Sequence, residues 1–175
     1  NLPSLLAFQD ADLCITPTAW QASTFPAPIR NQLRILHDGI DTSAAAPRPA
    51  AVADIGQRTL TRSDEVITFV SRSLEPYRGF HILMRALPEL LRRRPKAEVV
   101  IVGGDDVSYG AAAGPGATWR QRLLAEVGDS LDMSRVHFLG RIPYASYLAL
   151  LQVSRVHVYL TYPFVLSWSL LEAMS

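Results

Sequence analysis

The chain has 175 residues, a formal net charge of +1, and a composition that is 49% hydrophobic and 19% charged, as in an ordinary globular domain. So small a net charge excludes a broad electrostatic surface for nucleic acid or for an anionic membrane, so any basic patch must be local. The single cysteine, Cys14, excludes an internal disulfide bond and a zinc site with paired cysteines, and no apolar run approaches the ~20 residues that span a bilayer.

The first 60 residues predict short, interrupted elements. Residues 12–16 and 33–36 are apolar enough for short strands, and Thr18 is suited to cap a short helix between them. The stretch 42–53 is rich in alanine and proline and has no periodicity, so we interpret it as a linker or surface crossing between two folding units. We expect a short helix over 52–60 before the next strand.

Residues 64–88 contain the clearest change of pattern in the chain. A β-branched and aromatic run over 66–70 has the length of a buried strand, and the apolar residues from Phe80 onward recur at helical spacing. The loop between them carries Arg72 and Arg78. Ligands of open α/β sheets bind where loops leave the carboxyl ends of strands, and two guanidinium groups there suit a diphosphate. The alternative is that both arginines are solvated loop charges.

Strands and helices alternate from this point to the end of the chain. The alternation predicts right-handed crossovers and a parallel sheet, that is, an α/β fold of Rossmann-like type with flanking helices. Three consecutive arginines, 92–94, complement the dipole at the end of one predicted helix, and a local nucleic-acid patch is the alternative for them. The predicted elements are 66–70, 79–94, 97–102, 117–128, 135–139, 144–152, 156–160 and 167–175.

A second loop follows the next buried strand and begins with Gly103, Gly104, Asp105 and Asp106. Adjacent acidic side chains point in different directions and no third ligand has a suitable spacing, so we interpret the two acids as loop-capping groups rather than a metal site. Residues 108–116 hold three glycines and three alanines. We expect this segment to be mobile, either as a lid over a ligand or as a long surface loop.

A third loop, 164–172, leads into the last predicted helix. The backbone amides around Ser167, Trp168 and Ser169 would point out of the helix N-terminus, where an anion can bind. Glu172 lies one turn further along and could accept hydrogen bonds from a diol. Its alternative role is that of a first-turn acid that complements the helix dipole.

Four short motifs stand at these strand ends in a fixed order and spacing. They are Phe-Val-Ser-Arg at 69–72 followed by Tyr-Arg-Gly at 77–79, Val-Ile-Val-Gly-Gly at 100–104, Val-His-Phe-Leu-Gly-Arg-Ile-Pro at 136–143 and Ser-Leu-Leu-Glu-Ala-Met at 169–174. Together they resemble the nucleotide-sugar half of a family 4 glycosyltransferase over residues 33–175. The resemblance implies a GT-B fold, with two Rossmann-like domains and the active site between them. It also implies transfer of a sugar from a nucleotide diphosphate sugar, with retention at the anomeric carbon and without a bound metal or other cofactor.

The resemblance also divides the chain. Residues 1–41 resemble the end of the N-terminal acceptor domain and the crossing from it, and residues 42–175 resemble the donor-binding domain, incomplete at its C-terminus. Both ends are therefore expected to be cut from a longer protein, whose acceptor (a glycan, a lipid or a protein) is left open. The chain alone is expected to bind nucleotide weakly, to catalyse no transfer and to self-associate through the surface left uncovered. We expect the whole protein in the cytoplasm or at the inner face of the membrane, with no nucleic-acid partner.

The resemblance assigns catalytic roles to two arginines. Arg72 matches the arginine that contacts the diphosphate, and Arg78 stands where the family usually has lysine before glycine. We therefore predict that the two guanidinium groups face one cleft and share one diphosphate. The sequence departs from the family pattern at Phe164, where a glutamate usually lies near the transferred sugar, and over the residues 165–168 that follow.

Other residues are implied to bind the donor. Arg141 and Ile142 match the loop beside the nucleobase, and Glu172 matches the glutamate that holds the ribose hydroxyl groups. The alternative function is a non-catalytic ligand-binding module of flavodoxin-like topology, which would need neither arginine. The predicted donor-binding residues, with no metal ligand among them, are Ser71, Gly103, Gly104, Arg141, Ile142, Ser167, Trp168, Ser169 and Glu172.

Overall fold

The structure of the chain is a computed structural model that describes residues 2–56, 58–163 and 165–175. Over these ranges the backbone forms helices, strands and turns from near the start of the chain to its end. None of the helices in these ranges is both long and apolar enough to cross a bilayer.

The chain separates into two compact units. The smaller unit contains the described residues of 1–40 and 163–171, and the larger unit contains those of 41–162 and 172–175. The assignment of an acceptor-domain remnant and a donor domain to the two predicted segments stays a prediction, because compactness does not identify what a unit binds.

Short elements make up the smaller unit. Its two strands pair in parallel, so both predicted strands are confirmed in place, although each is only two residues long. The Thr18 side chain accepts a hydrogen bond from the backbone N–H of Gln21 at 3.0 Å and caps the helix that follows, as predicted. The elements are α1 (Leu2–Asp10), β1 (Ile15–Thr16), α2 (Ala19–Ser23), α3 (Ala27–Arg30) and β2 (Arg34–Ile35).

A hairpin precedes the main sheet of the larger unit. Its strands, β3 (Val52–Asp54) and β4 (Thr59–Thr61), pair antiparallel, so the prediction of a helix over 52–60 is wrong. Ala53 and Leu60 are buried while their neighbours in each strand are more exposed. This alternation has the two-residue period of a strand, and it turns one apolar face of the hairpin toward the core.

Four parallel strands form the sheet on which the larger unit is built. The elements that follow the hairpin are β5 (Glu65–Ser73), α4 (Phe80–Arg93), β6 (Ala97–Gly104), α5 (Trp119–Val127), β7 (Val136–Gly140), α6 (Tyr144–Val153), β8 (Val156–Val158) and α7 (Trp168–Met174). The strand order is β7-β6-β5-β8, and each neighbouring pair is parallel. The prediction of an α/β fold with a Rossmann-like parallel sheet and flanking helices is confirmed.

Apolar side chains pack on both faces of this sheet. One cluster joins strand residues such as Phe69 and Ile101 to the apolar face of α4, and the other joins Val66 and Val100 to α6 and the hairpin. Because β6 is covered on both faces, its residues are buried almost without a break. The rigid sheet then fixes the positions of the loops that leave its carboxyl ends.

The strand order places a topological switch point at the carboxyl ends of β5 and β8. The chain runs from β5 through β6 to β7 on one side of β5 and returns to the other side of β5 at β8, so the strand order reverses between β5 and β8. At this point the backbone N–H of Tyr162 donates to the carbonyl oxygen of Tyr77 at 3.0 Å. Ligands of open α/β sheets bind at such a reversal of strand order, so the fold itself favours a ligand here.

Candidate functional site

Arg72 and Arg78 both lie at the carboxyl end of β5. Arg72 is exposed, and its side chain makes no hydrogen bond or ion pair with another residue of the described ranges. Arg78 is half-buried, and its guanidinium carbon lies 5.1 Å from the centre of the Tyr109 ring, within the range of a cation–π contact. That the two guanidinium groups share one cleft stays a prediction.

The end of β5 differs from its predicted form. Ser71 and Arg72, predicted as loop residues, belong to the strand, and the pairing with β6 shifts in register between Val70 and Ser73. An irregularity of this kind changes the direction in which side chains point at a strand end. The Ser71 hydroxyl donates to the Ser73 carbonyl oxygen at 3.0 Å. Gly103 of β6 comes so close that an added Cβ would lie 2.6 Å from the Ser71 carbonyl oxygen, so glycine is required for this approach.

A buried carboxylate at the same strand end has no signal in the sequence. Glu75 is fully buried and accepts hydrogen bonds from the Ser108 hydroxyl at 2.6 Å, the Ser108 N–H at 3.2 Å and the Gly110 N–H at 2.9 Å. The Tyr109 N–H lies 3.3 Å from each of its oxygens. Burial alone would raise the pKa of Glu75, but the hydrogen bonds outweigh burial and hold the pKa below its ordinary value. The start of the segment expected to be mobile is therefore tied to the loop after β5.

Three tyrosines lie side by side next to this carboxylate. The Tyr77 ring lies between the other two, with ring centres 5.8 Å from Tyr109 and 5.7 Å from Tyr162. These residues come from the loops after β5, β6 and β8, so the aromatic contacts connect three loops at one edge of the sheet.

Two arginine–carboxylate pairs stand at the end of β6. Arg120 Nη2 lies 2.5 Å from an oxygen of Asp105, and Arg141 Nη2 lies 2.5 Å from an oxygen of Asp106. An added Cβ on Gly104 would lie 2.5 Å from Asp106 Oδ1 and 3.0 Å from Arg141 Nε, so glycine leaves the room that the second pair needs. The prediction that both acids cap the loop needs correction: each carboxylate instead forms a salt bridge with an arginine from a later part of the chain. Within the described ranges, no three His, Cys, Asp or Glu side chains group together as metal ligands.

Ile142 follows Arg141 but points elsewhere. It is half-buried and packs, together with Leu139, against the apolar cluster on the α6 side of the sheet. It also lines a cavity of about 220 Å³ beside the hairpin. A ligand near Arg141 would therefore meet mainly the backbone of Ile142.

The residues at the start of α7 belong to the smaller unit, and they interact with one another and with Asp38 of the same unit. The hydroxyl groups of Ser167 and Ser169 lie 2.9 Å apart. Trp168 is exposed, and its indole N–H donates to Asp38 at 3.0 Å. Anion binding by the amides of this segment stays a prediction. Phe164, where the sequence departs from the family pattern, lies outside the described residues.

Two phenols hold the carboxylate of Glu172. The Tyr144 hydroxyl donates to Oε1 and the Tyr147 hydroxyl to Oε2, each at 2.7 Å. Burial, followed by the hydrogen bond to Glu172, raises the pKa of Tyr147, so this phenol stays a donor. Each carboxylate oxygen keeps a further lone pair, so the arrangement fixes Glu172 and leaves it able to accept hydrogen bonds from a diol.

We expect Tyr147→Phe to lower the free energy of unfolding by about 1–2 kcal/mol, because it removes a buried hydrogen bond to a charged acceptor. Tyr144→Phe is the matched control: its hydroxyl makes the same bond from a residue that is 54% exposed, so its expected effect stays within about 0.5 kcal/mol. Urea denaturation of the two variants measures the difference. Equal losses would contradict the expectation that the buried hydrogen bond of Tyr147 contributes more to stability than the exposed one of Tyr144.

Comparison with known families gives two matches that together cover most of the chain. The model described as "Glycosyl transferases group 1" matches residues 64–175, and the model described as "Glycosyl transferase family 4 group" matches residues 1–45. The first match covers β5 to α7, and so includes the four motifs at the strand ends.

Curated relatives are similar over part of the chain. A GDP-mannose-dependent alpha-(1-6)-phosphatidylinositol monomannoside mannosyltransferase of Mycolicibacterium smegmatis is 33% identical over 121 residues, which are 68% of this chain and 29% of that protein. A D-inositol 3-phosphate glycosyltransferase of Kineococcus radiotolerans is 32% identical over 106 residues, or 58% of this chain and 22% of that protein. The chain thus spans less than a third of the length of the curated relatives it matches.

Solved structures of low sequence identity share the fold. Sucrose-phosphate synthase from Thermosynechococcus elongatus superposes with a TM-score of 0.70 at 22% identity, over 99% of this chain and 41% of that chain. The pneumococcal O-GlcNAc transferase GtfA, solved in complex with UDP and GlcNAc, superposes with a TM-score of 0.64 at 16% identity, over 99% of this chain and 31% of that one.

Proposed function

The chain belongs to the glycosyl transferases group 1 family, and on this premise we propose that it binds the nucleotide diphosphate sugar donor of a retaining glycosyltransferase. The observation that carries the proposal is the placement of Arg72 and Arg78 at the carboxyl end of β5, beside the reversal of strand order. This is the edge at which the fold accepts ligands. The chain supplies the donor side, and transfer belongs to the whole protein.

The two arginines would stabilise the leaving group. When the bond between the anomeric carbon and the diphosphate breaks, negative charge grows on the diphosphate oxygens. A guanidinium group matches two such oxygens at once and cannot lose its proton at neutral pH. Charges fixed in advance around the leaving group lower the barrier, because they need no rearrangement when the charge develops.

The nucleoside would be held by other residues of the larger unit. We propose that Glu172 accepts hydrogen bonds from the ribose hydroxyl groups, while Tyr144 and Tyr147 fix its carboxylate. Arg141 would lie beside the nucleobase, oriented by its pair with Asp106. The name of one relative specifies GDP-mannose, whereas a structural neighbour was solved with UDP, so both guanosine and uridine donors are candidates.

The missing part of the active site would come from an acceptor domain that precedes the donor domain. One relative acts, by its name, on a phosphatidylinositol monomannoside. We therefore count a lipid-linked glycan among the candidate acceptors of the whole protein. The inner face of the membrane is, for the same reason, among its candidate locations. Without the closing domain, water stays in the cleft and weakens the attraction between arginine and phosphate, so the chain alone should bind weakly and transfer nothing.

We expect nucleotide binding to be insensitive to removal of divalent cations. Arginines would supply the positive charge, and Asp105 and Asp106 already pair with Arg120 and Arg141. Titration of the chain with a nucleoside diphosphate in the presence of EDTA, with a magnesium titration as the matched control, checks this. Binding that appears only with magnesium would contradict the metal-independent part of the proposal.

Calorimetric titration of the chain tests the proposed function. GDP and UDP should bind, and the corresponding monophosphates should bind more weakly because they offer one phosphate to the two arginines. Flavin mononucleotide serves as the probe for the alternative of a flavodoxin-like module. No binding of either diphosphate, or preferential binding of the flavin, would overturn the proposal.

A further inference from the structure

Glu75 has an unusual set of partners for a buried carboxylate. It is fully buried at the strand end that carries the two arginines, yet it makes no ion pair within the described part of the chain. Within the described ranges, the donors to its carboxylate oxygens all belong to one short segment, Ser108–Gly110. A buried carboxylate is costly unless it is well hydrogen-bonded, so this set of donors determines where the segment must lie.

The segment needs such an anchor. It belongs to the glycine-rich loop between β6 and α5, where Gly114 and Gly116 have positive φ angles, and a loop of this composition has much conformational freedom. Gly110 fits close against the carboxylate: an added Cβ would lie 3.2 Å from Glu75 Oε2. The hydrogen bonds to Glu75 therefore hold the start of this loop against the end of β5, while the Trp119 indole N–H donates to the Ala111 carbonyl oxygen further along at 2.9 Å.

The residue at the middle of the anchored segment contacts a proposed catalytic arginine. The Tyr109 N–H points at Glu75, while the Tyr109 ring packs 5.8 Å from the Tyr77 ring and lies 5.1 Å from the Arg78 guanidinium carbon. A cation over an aromatic face is held in position without losing its charge or all of its N–H donors. Anchoring the Tyr109 backbone thus fixes the surface on which Arg78 rests.

We propose that Glu75 is a positioning residue for donor binding: it holds Tyr109 beneath Arg78 so that the guanidinium group is presented to the diphosphate. The inference rests on the proposed function, because it assigns the diphosphate to Arg78. It extends that function to a residue that touches neither the donor nor the acceptor. Its effect on the donor passes through Ser108–Gly110 and then through the Tyr109 ring.

A double-mutant cycle on nucleotide affinity tests the inference. Glu75→Gln keeps the shape of the side chain but replaces one acceptor oxygen by a donor, and Arg78→Ala removes the group that Glu75 is proposed to position. We expect E75Q to weaken GDP or UDP binding by about 5- to 10-fold in the parent chain and by less than about 2-fold in the R78A chain. Glu126→Gln is the matched control, because Glu126 is an exposed acid of α5 that pairs with Arg85 of α4. It should leave affinity unchanged.

Amide hydrogen exchange gives the second readout. The amides of residues 108–110 should lose protection in E75Q and keep it in E126Q, while the amides of β6 stay protected in both. If E75Q does not fold, Ser108→Ala replaces it in the cycle, because it removes only the 2.6 Å hydrogen bond from the Ser108 hydroxyl. A smaller loss of affinity, again confined to chains that contain Arg78, is then expected.

Failure of the inference can be told from failure of the proposed function. If the parent chain binds neither GDP nor UDP, the proposed function fails and the inference fails with it. If the parent chain binds but E75Q or its replacement binds equally well, or loses the same factor with and without Arg78, the inference alone is overturned. The last of these results would mean that Glu75 serves the fold and not the arginine.

Discussion

In the intact enzyme, replacing Arg72 or Arg78 by alanine is expected to lower kcat/KM by roughly 30- to 900-fold, that is, by about 2–4 kcal/mol of transition-state stabilisation. The reason is that each guanidinium group is proposed to meet the diphosphate where charge develops as the sugar leaves. Arg72 has no competing hydrogen bond or ion pair within the described ranges, so its charge is available to a ligand. Arg78 rests on an aromatic ring, which orients the group and leaves its charge in place.

Steady-state kinetics with the full-length protein measure this effect. Two further variants test whether the loss depends on the geometry and the position of the arginine. Arg72→Lys keeps the charge but loses the two-pronged geometry, so it should recover only part of the activity. Arg92→Ala is the matched control, because Arg92 is an exposed arginine of α4 that pairs with Glu89. Losses of similar size for R92A and R72A would show that general charge, rather than a specific contact with the diphosphate, supports turnover.

Gly79→Ala is expected to lower the free energy of unfolding by about 3–5 kcal/mol, because it adds a steric clash to backbone strain. Gly79 has a φ angle of +77°, and an added Cβ would lie 2.3 Å from the Leu160 Cβ and 2.4 Å from the Leu160 carbonyl oxygen. Neither neighbour is the flexible end of a side chain. The loops after β5 and β8 would have to move apart, at the edge where the donor is proposed to bind.

Comparison with Gly116→Ala separates the cost of backbone strain from the cost of the steric clash at Gly79. Gly116 has a φ angle of +68°, close to that of Gly79, but an added Cβ would have no neighbour within 4 Å. Its expected cost is therefore only the strain of about 1–2 kcal/mol. Urea denaturation of both variants measures the two costs, and the account of Gly79 is wrong if G79A is no more destabilised than G116A.

The parallel sheet was predictable because each of its strands and helices has a strong local pattern. Residues 66–70 and 97–102 are apolar apart from Thr68 and Glu98, as is typical of strands covered on both faces, and the helical spacing after Gly79 matches the buried face of α4. The hairpin over 52–61 was not predictable in the same way, since each strand has only three residues and one buried side chain. Periodicity needs more positions than that to separate a strand from a helix.

The site was less predictable because its geometry comes from contacts between distant residues. Glu75 and Ser108 are 33 positions apart, and nothing around either residue indicates the other. Tyr144 and Tyr147 did carry a usable signal: two tyrosines three positions apart lie on one helix face and can share one partner. The roles of Arg72, Arg78 and the donor-binding residues stay predictions, because they concern a ligand.

A crystal structure of the chain with GDP or UDP bound tests the central claim most directly. We expect the diphosphate at the carboxyl end of β5, with oxygens within hydrogen-bond distance of the guanidinium groups of both Arg72 and Arg78, and the ribose hydroxyl groups on Glu172. A nucleotide bound at another edge of the sheet, or a diphosphate that neither arginine contacts, would contradict the claim.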